Sequence, residues 1–469
     1  MDLTKLKHDG YNLKSNWQEL NSKSIFFTYT KSIKKFEELE ILCIKKKCNY
    51  IICDYSLKKS INKKIDIKYS FHKDLKDTAI YCSDIFYAKK NIAKIILVTG
   101  TNGKTSISYN LYDILNNMNI KSAYVGTLGF YASGKKIKNL LNTTPDLITL
   151  MSSINEAEKN YKCKYIIIEA SSIGFIEKRL GKIKADIGIL TNLTQDHLDY
   201  HGSLLNYHKS KISLLKKHLK KDSTLLIQDK IQNNYHIELN KKFNTTFQSN
   251  YMKENNIQLI DNGYFMTKLS IDDVIIKKFN LPNNFIIKNL LTNYIFLKLI
   301  KIKLNLKIIF NYKTVKGRHH VIHNKFNKLV IVDYAHTPDG IYNLLSPYKN
   351  IKCSKIVIFG CGGDRDKGKR PKMAKVVNKF SNIQIITDDN PRNENPKLIR
   401  NSLIKYCDNS HDIGNRLSAI KKGFNLLNKD LGILFILGKG HEEEQLYKNK
   451  LFKFSDIRES IKIAKTINS

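Results

Sequence analysis

Residues 98–106 read VTGTNGKTS. The strand-type run Lys94-Ile95-Ile96-Leu97-Val98 leads into them, and helix-forming sequence over 105–117 leads out. In a strand, glycine loop and helix of this kind, backbone N–H groups and the helix N-terminus favour a polyphosphate. Lys104 is then in reach of the β- and γ-phosphates, and the Thr105 hydroxyl is placed for Mg²⁺. The full eight-residue P-loop pattern asks for glycine at 98, where Val98 stands, so the loop is a shorter variant, GTNGKT. Gly100, Thr101, Asn102, Gly103, Lys104, Thr105 and Ser106 form the expected cradle for a polyphosphate. The bland alternative is an ordinary strand-to-helix turn with an exposed lysine.

Working outward, KYIIIEAS (164–171) and ADIGILTNL (185–193) read as further strands, with helices over 105–117 and 147–160 between them. This rhythm predicts a mostly parallel sheet with helices outside. Before it, residues 1–88 alternate short apolar runs such as SIFFTY and YIICDY with lysine-rich connections, which predicts a small α/β domain. Turn signals and short strands are expected over 212–280, and a helix over 284–304. A third unit starts near Gly317, with strand runs KLVIVDYA (328–335), KIVIFG (355–360), IQIIT (383–387) and ILFILGKG (433–440). The expected fold class is therefore α/β in three domains: 1–88, a central P-loop domain over 89–316, and a Rossmann-like domain over 317–469.

A chain of 469 residues exceeds what one core supports. Its eight cysteines form no CxxC pair, which argues against a zinc knuckle or redox motif and for buried thiols in a reducing compartment. The first residues resemble no signal peptide, and no apolar run approaches a membrane span, so a cytoplasmic protein without membrane insertion is expected. The formal net charge of +38 alone would favour a nucleic-acid binder. However, the lysines are spread along the whole chain beside an excess of Asn, Ile, Tyr and Phe, a pattern of drift under AT-rich coding. No nucleic-acid recognition motif accompanies them.

Glu169 ends the strand IIIEASS, and an unpaired buried acid there is costly unless it faces a metal or attacking group. The next strand ends at TNLTQDHLDYHG, which holds Asp196, His197, Asp199 and His201. Glu169 and His197 are candidate metal ligands, with a satisfied core histidine as the plain alternative for His197. Two glycine turns, GCGGDRDKGKRP (360–371) and GKGHEEEQ (438–445), follow strand runs in the third unit. Ligands bind at that edge of open α/β sheets, although either turn alone could be ordinary surface.

Taken together, TGTNGKTS, NTTPD, EASSIG, TNLTQDHLDYHG, GRHH, DYAHTPDG, FGCGGDRDKGKRP, DDNPR and GKGHEEEQ resemble the Mur ligase family of bacterial cell-wall synthesis. The resemblance is strongest over about 95–211 and 317–459, and it is to the members that add the third amino acid. It implies a monomeric ATP- and Mg²⁺-dependent ligase. A carboxylate of UDP-N-acetylmuramoyl-L-alanyl-D-glutamate takes the γ-phosphoryl group as an acyl phosphate, and an amine then displaces phosphate.

The resemblance also implies roles residue by residue. Lys104 serves the phosphates. Thr105 and Glu169 hold the ATP-bound magnesium, and His197 with Glu169 holds a second. Lys211, in NYHKSKISLL, matches the lysine that the family carbamylates. Asn289, Arg318, Asp333 and His336 approach ATP. Ser22, Thr143, Thr144, Ser171, Glu177 and Arg179 fall where the family grips the UDP-linked substrate, with Asn21 and Lys23 standing where the family has Asp and Arg. Arg365, Asp389, Asn390, Pro391, Arg392, Gly438 and Glu442 fall on the incoming amino acid. Two departures are Ile173 for a common histidine and His320 for a common glutamate.

In this family DNPR marks the enzymes that add meso-diaminopimelate, and the lysine adders differ at the position of Arg392. The chemistry is direct: diaminopimelate carries a distal carboxylate that lysine lacks, and a guanidinium can hold it with two parallel hydrogen bonds. Asp389 and Glu394 are expected to orient that guanidinium or to meet the distal ammonium. The competing readings are an L-lysine-adding or folylpolyglutamate-type relative, a P-loop NTPase acting on nucleic acid, and a non-catalytic remnant.

Overall fold

Ile, Leu and Val crowd the strands of this chain because parallel strands covered on both faces must be apolar throughout. The computed structural model describes residues 1–61, 66–87, 93–261, 267–279, 285–311, 315–325, 328–427, 432–448 and 450–468. The expected boundary at 88/89 and residues 281–284 of LPNNFIIKN lie outside them.

Near the N-terminus four parallel strands pair in chain order: Asn12–Lys14, Ser24–Phe27, Tyr50–Asp54 and Lys68–His72. The largest sheet has eight strands, in the order Asn244–Phe247, Leu219–Ile227, Ala185–Leu190, Lys94–Thr99, Tyr165–Glu169, Ser122–Gly126, Gly129–Ala132 and Lys135–Lys138. The last three strands form an antiparallel meander. Lys94–Thr99 thus lies between the strands ending at Glu169 and Leu190, with Val98 opposite Glu169 and Thr99 opposite Leu190. This register delivers the acid and the 191–194 segment to the two sides of the glycine loop. One face is covered by a core including Leu97, Ile166 and Leu215, the other by Ile96, Ile167 and the helix Phe285–Leu299.

The third large sheet runs His320–Lys325, Lys328–Asp333, Gly432–Leu437, Ser354–Phe359, Ile383–Ile386 and Ser410–Asp412, parallel except for its first strand. The expected strands fall on these elements. One expectation needs correction: the 284–304 helix ends at Leu299. The expected short strands occur in the 212–280 stretch, which also holds helices. The helix Leu204–His218 runs into it, followed by helices Asn233–Asn240 and Gln248–Glu254. Polar runs rich in Lys and Asn hid that apolar spacing.

The fully buried Arg416 fixes two strand ends of the third sheet. Its guanidinium donates to the carbonyls of Asp388 (3.3 Å) and Leu437 (2.7 Å) and pairs with buried Asp456 at 2.7 and 2.8 Å. Among the described residues no helix is long and apolar enough to cross a membrane. Arg416→Met strands the Asp456 charge inside, so denaturant unfolding should register a loss of about 3–5 kcal/mol, and a loss below about 1 kcal/mol would contradict this role.

Candidate active site

The glycine loop is stitched to the segment after the neighbouring strand. Thr191 Oγ1 donates to the Asn102 carbonyl (2.6 Å), Asn102 N–H donates to Asn192 Oδ1 (2.9 Å), and Thr101 Oγ1 donates to the Thr194 carbonyl (3.1 Å). Gly100 (φ 142°) runs so close to Thr191 that a Cβ there would collide with its hydroxyl. Gly103 (φ 86°) caps the helix Lys104–Asn117 in a left-handed conformation.

Two lysines converge on this loop. Lys104 Nζ donates to the carbonyls of Gly100 and Thr101, both at 2.9 Å, and the buried Lys211 donates to Gly100 at 2.8 Å. Lys211 also lies over the Tyr207 ring, 4.6 Å from its centroid. Desolvation lowers the pKa of Lys104, and Glu169 and Asp196 only partly oppose it. Desolvation also holds Lys211 well below the usual lysine range, and the Lys104 charge adds to that. A neutral Lys211 amine is therefore accessible.

Glu169 is fully buried and fully engaged. Its Oε2 accepts from Thr105 Oγ1 (2.9 Å) and Thr127 Oγ1 (3.1 Å); its Oε1 accepts from Thr127 N–H (3.1 Å) and the Tyr124 hydroxyl. Thr105 and Glu169 thus present oxygen donors at the head of the loop, the chemistry that suits Mg²⁺ bound largely through phosphate and water oxygens. Among the described residues no cluster of three His, Cys, Asp or Glu side chains could hold a metal. His197, at φ 51°, has its Nε2 3.3 Å from the Asp196 carboxylate. Burial works against the Asp196 carboxylate, yet His197, His336 and Lys369 hold its pKa below the usual range. His201 is a satisfied core histidine, its Nε2 3.0 Å from Ser172 Oγ.

A cavity of about 630 Å³ opens between the large sheets. It is lined by Asn102, Gly103, Ser106, Asn289, Arg318, Asp333, Tyr334 and His336, among others. Arg318 stacks on Tyr334, 4.4 Å from the ring centroid, and reaches Thr105 Oγ1 at 3.4 Å. Asp333 accepts the N–H groups of His319 (2.5 Å) and Ala335 (2.7 Å), and burial raises its pKa. Desolvation takes His336 down to about 4, so it is neutral near pH 7. Asn289 is held through Oδ1 by Gln228 at 2.8 Å.

A second cavity, about 220 Å³, gathers Asp196, His197, Arg365, Asp389, Asn390, Arg392, Gly438 and Glu442, and it shares Tyr334 and His336 with the first. Arg392 (φ 53°) is pinned by its backbone to Leu446 (3.0 Å), and its Nη1 donates to the carbonyls of Gly363 (2.8 Å) and Asn390 (3.4 Å). Pro391 contributes a carbonyl that receives the Glu394 N–H at 3.1 Å. Glu394 does not orient Arg392 as expected: it pairs with Arg370 at 2.9 Å and accepts from Asp364 N–H at 2.7 Å. The carbonyls do that work instead. Arg365 is exposed at the cavity rim, Ile173 lines the same cavity, and half-buried His320 lies outside both cavity linings.

On the N-terminal side, Thr144 Oγ1 donates to the Glu169 carbonyl (2.8 Å) and accepts from Ser171 N–H (2.9 Å), while Arg179 donates to the Thr144 carbonyl (3.0 Å). Thr143 meets Thr127 at 3.0 Å. Glu177 accepts from Tyr200 (2.7 Å) and pairs with Lys76 (3.0 Å), and the Tyr200 hydrogen bond leads the causes that lower its pKa. Ser22 stands exposed in the turn before Ser24–Phe27, and among the described residues no hydrogen bond joins it to the 143–149 segment. Ser15 is the N-terminal hydroxyl brought there, 2.7 Å from Asp146 Oδ1 and 2.9 Å from Thr149 Oγ1. Thr127, Tyr124 and Asp339 were missed as well. Asp339, on the helix Pro338–Leu345, accepts from Asn102 (2.7 Å) and Thr194 (3.1 Å), and its place in DYAHTPDG was the available signal.

Comparison with known proteins agrees with this geometry. The family model "Mur ligase middle domain" matches residues 98–296, and "Mur ligase, glutamate ligase domain" matches 317–440. A UDP-N-acetylmuramoyl-L-alanyl-D-glutamate--2,6-diaminopimelate ligase of Rickettsia bellii (strain RML369-C) is 33% identical over 477 residues, spanning 96% of this chain and 95% of the relative. The chain belongs to the Mur ligase family. A Helicobacter pylori (strain J99) relative of the same description is 35% identical, over 77% of this chain and 82% of its own. Among solved structures, a Mur ligase of that description (24% identity, TM-score 0.55, 97% of this chain and 95% of that one) has the same fold. So does MurF ligase from Thermotoga maritima in complex with ADP (14% identity, TM-score 0.66, 99% and 98%).

Gly100→Ala forces the family's phosphate loop off Thr191. At roughly 1–3 kcal/mol of strain, equilibrium nucleotide binding should weaken by about 5- to 150-fold; unchanged affinity would contradict the loop assignment.

Proposed function

We infer that this protein ligates meso-2,6-diaminopimelate to UDP-N-acetylmuramoyl-L-alanyl-D-glutamate, with conversion of ATP to ADP and phosphate, in peptidoglycan precursor synthesis. The observation that carries the reading is Arg392, held rigidly at a cavity adjoining the nucleotide cavity. A guanidinium there suits a substrate with a carboxylate at its far end. We also propose the division into 1–88 for the UDP-linked substrate, 89–316 for ATP and 317–469 for the amino acid.

The chemistry has an electrostatic obstacle: a carboxylate must approach a triphosphate. Lys104 supplies positive charge in a recess where desolvation strengthens it. Magnesium, held by Thr105 and Glu169, would neutralise phosphate charge. The neutral Lys211 amine adds CO₂, forming an N–C bond and releasing a proton, and the resulting carbamate is an anion able to serve a second metal beside His197. A carboxylate oxygen then takes the γ-phosphoryl group, and ADP leaves. The neutral amine of diaminopimelate attacks the acyl carbon, and phosphate departs as the amide forms. Tyr334 and His336, common to both cavities, border the path between phosphate and amine. Exclusion of water protects the acyl phosphate.

Arg392→Met leaves the distal carboxylate unpaired. At about 2–5 kcal/mol, kcat/KM for diaminopimelate should fall roughly 30-fold or more with KM for ATP little changed. A variant that keeps the wild-type preference for diaminopimelate over L-lysine overturns the reading. Lys211→Met should abolish activity and its stimulation by bicarbonate, whereas a bicarbonate response surviving in that variant would rule out carbamylation at Lys211.

A further inference from the structure

Lys439 sits in GKGHEEE between Gly438 (φ 108°) and Gly440 (φ 51°), and its side chain is fully buried. Its ammonium lies 2.8 Å from Glu442 Oε2 and 3.2 Å from Asn390 Oδ1. Asn390 Oδ1 also accepts the Leu446 N–H at 2.9 Å. Two donors on one oxygen fix the orientation of the carboxamide, so Asn390 Nδ2 is the atom that donates to Glu442 Oε2 at 3.0 Å. Glu442 Oε2 is thereby saturated, whereas Oε1 has a long 3.4 Å contact from the Tyr334 hydroxyl. The backbone carbonyl of the same Asn390 receives Arg392 Nη1.

Asn390 therefore mounts two receptors on one frame: a guanidinium for a carboxylate and a carboxylate for an ammonium. Lys439 keeps that frame closed. The Glu442 side chain is about 30% exposed, so without the buried ammonium it is free to swing towards solvent. A carbon bearing a carboxylate, an ammonium and a chain has its handedness read when all three directions are fixed.

We propose that Lys439 is a positioning residue that sets selection for the configuration of the distal stereocentre of the incoming diamino diacid, an inference resting on the reading that this cavity takes diaminopimelate. It touches no reacting atom. It holds Asn390 and Glu442 so that only one arrangement of the distal carboxylate and ammonium meets Arg392 and Glu442 Oε1 together.

The test uses Lys439→Met, which keeps the stem and removes the charge, in the full-length protein. Steady-state kinetics with meso- and LL-diaminopimelate are run beside thermal unfolding and ATP binding. KM for the meso isomer should rise about tenfold or more with kcat nearly unchanged, and the meso-to-LL ratio of kcat/KM should fall about tenfold, with ATP binding unaltered. A folded variant that keeps the wild-type ratio overturns the inference, even if overall activity falls. Should Lys439→Met fail to fold, Lys439→Gln is measured the same way, and a preserved ratio there has the same meaning. Wild-type protein that ligates neither isomer refutes the underlying reading instead, and the inference with it.

Discussion

Two lysines donate to one carbonyl oxygen. Lys104 and Lys211 both reach Gly100 O, inside a loop too close to Thr191 for any side chain at that glycine. Burial in this recess lowers the pKa of each, and the Lys104 charge lowers that of Lys211 further. The site is thus strongly disposed towards anions on one side and holds a lysine with accessible neutral form on the other. Much of what surrounds the loop serves to keep this arrangement in place: the Thr191 and Asn192 ties, the Thr105–Glu169 pair and the Asp339 contact from the third sheet.

Sheet topology turns that local arrangement into a reaction path. The carboxyl ends of strands Lys94–Thr99, Tyr165–Glu169 and Ala185–Leu190 deliver the phosphate loop, the acid and the Asp196–His197 turn. From the third sheet, the ends of Lys328–Asp333, Ile383–Ile386 and Gly432–Leu437 deliver Tyr334, Arg392 and Glu442. Both cavities share Tyr334 and His336, so the cavity beside the glycine loop adjoins the one lined by Arg392. Arg416 braces the carbonyls of Asp388 and Leu437, directly before the loops that carry Arg392 and Lys439.

The loop and the parallel strands were legible in the sequence, and many of the residues singled out beside them sit in short motifs at strand ends. What escaped was set by three-dimensional pairing. Glu394 stands two residues from Arg392, but its nearer cation in space is Arg370. Ser15 stands 131 residues before Asp146 in the chain, yet the fold brings their side chains together. Thr127 reaches Glu169 only because the meander strand Ser122–Gly126 pairs with Tyr165–Glu169. Lys439 looks like any of the many lysines until its complete burial is seen.

The most direct measurement supplies the protein with ATP, Mg²⁺, bicarbonate and UDP-N-acetylmuramoyl-L-alanyl-D-glutamate, together with either meso-diaminopimelate or L-lysine. Phosphate release and product are followed together. Tripeptide formed with diaminopimelate and not with lysine is the predicted result. Equal use of both amino acids would contradict the role given to Arg392, and no product with either from folded protein would contradict the ligase reading itself.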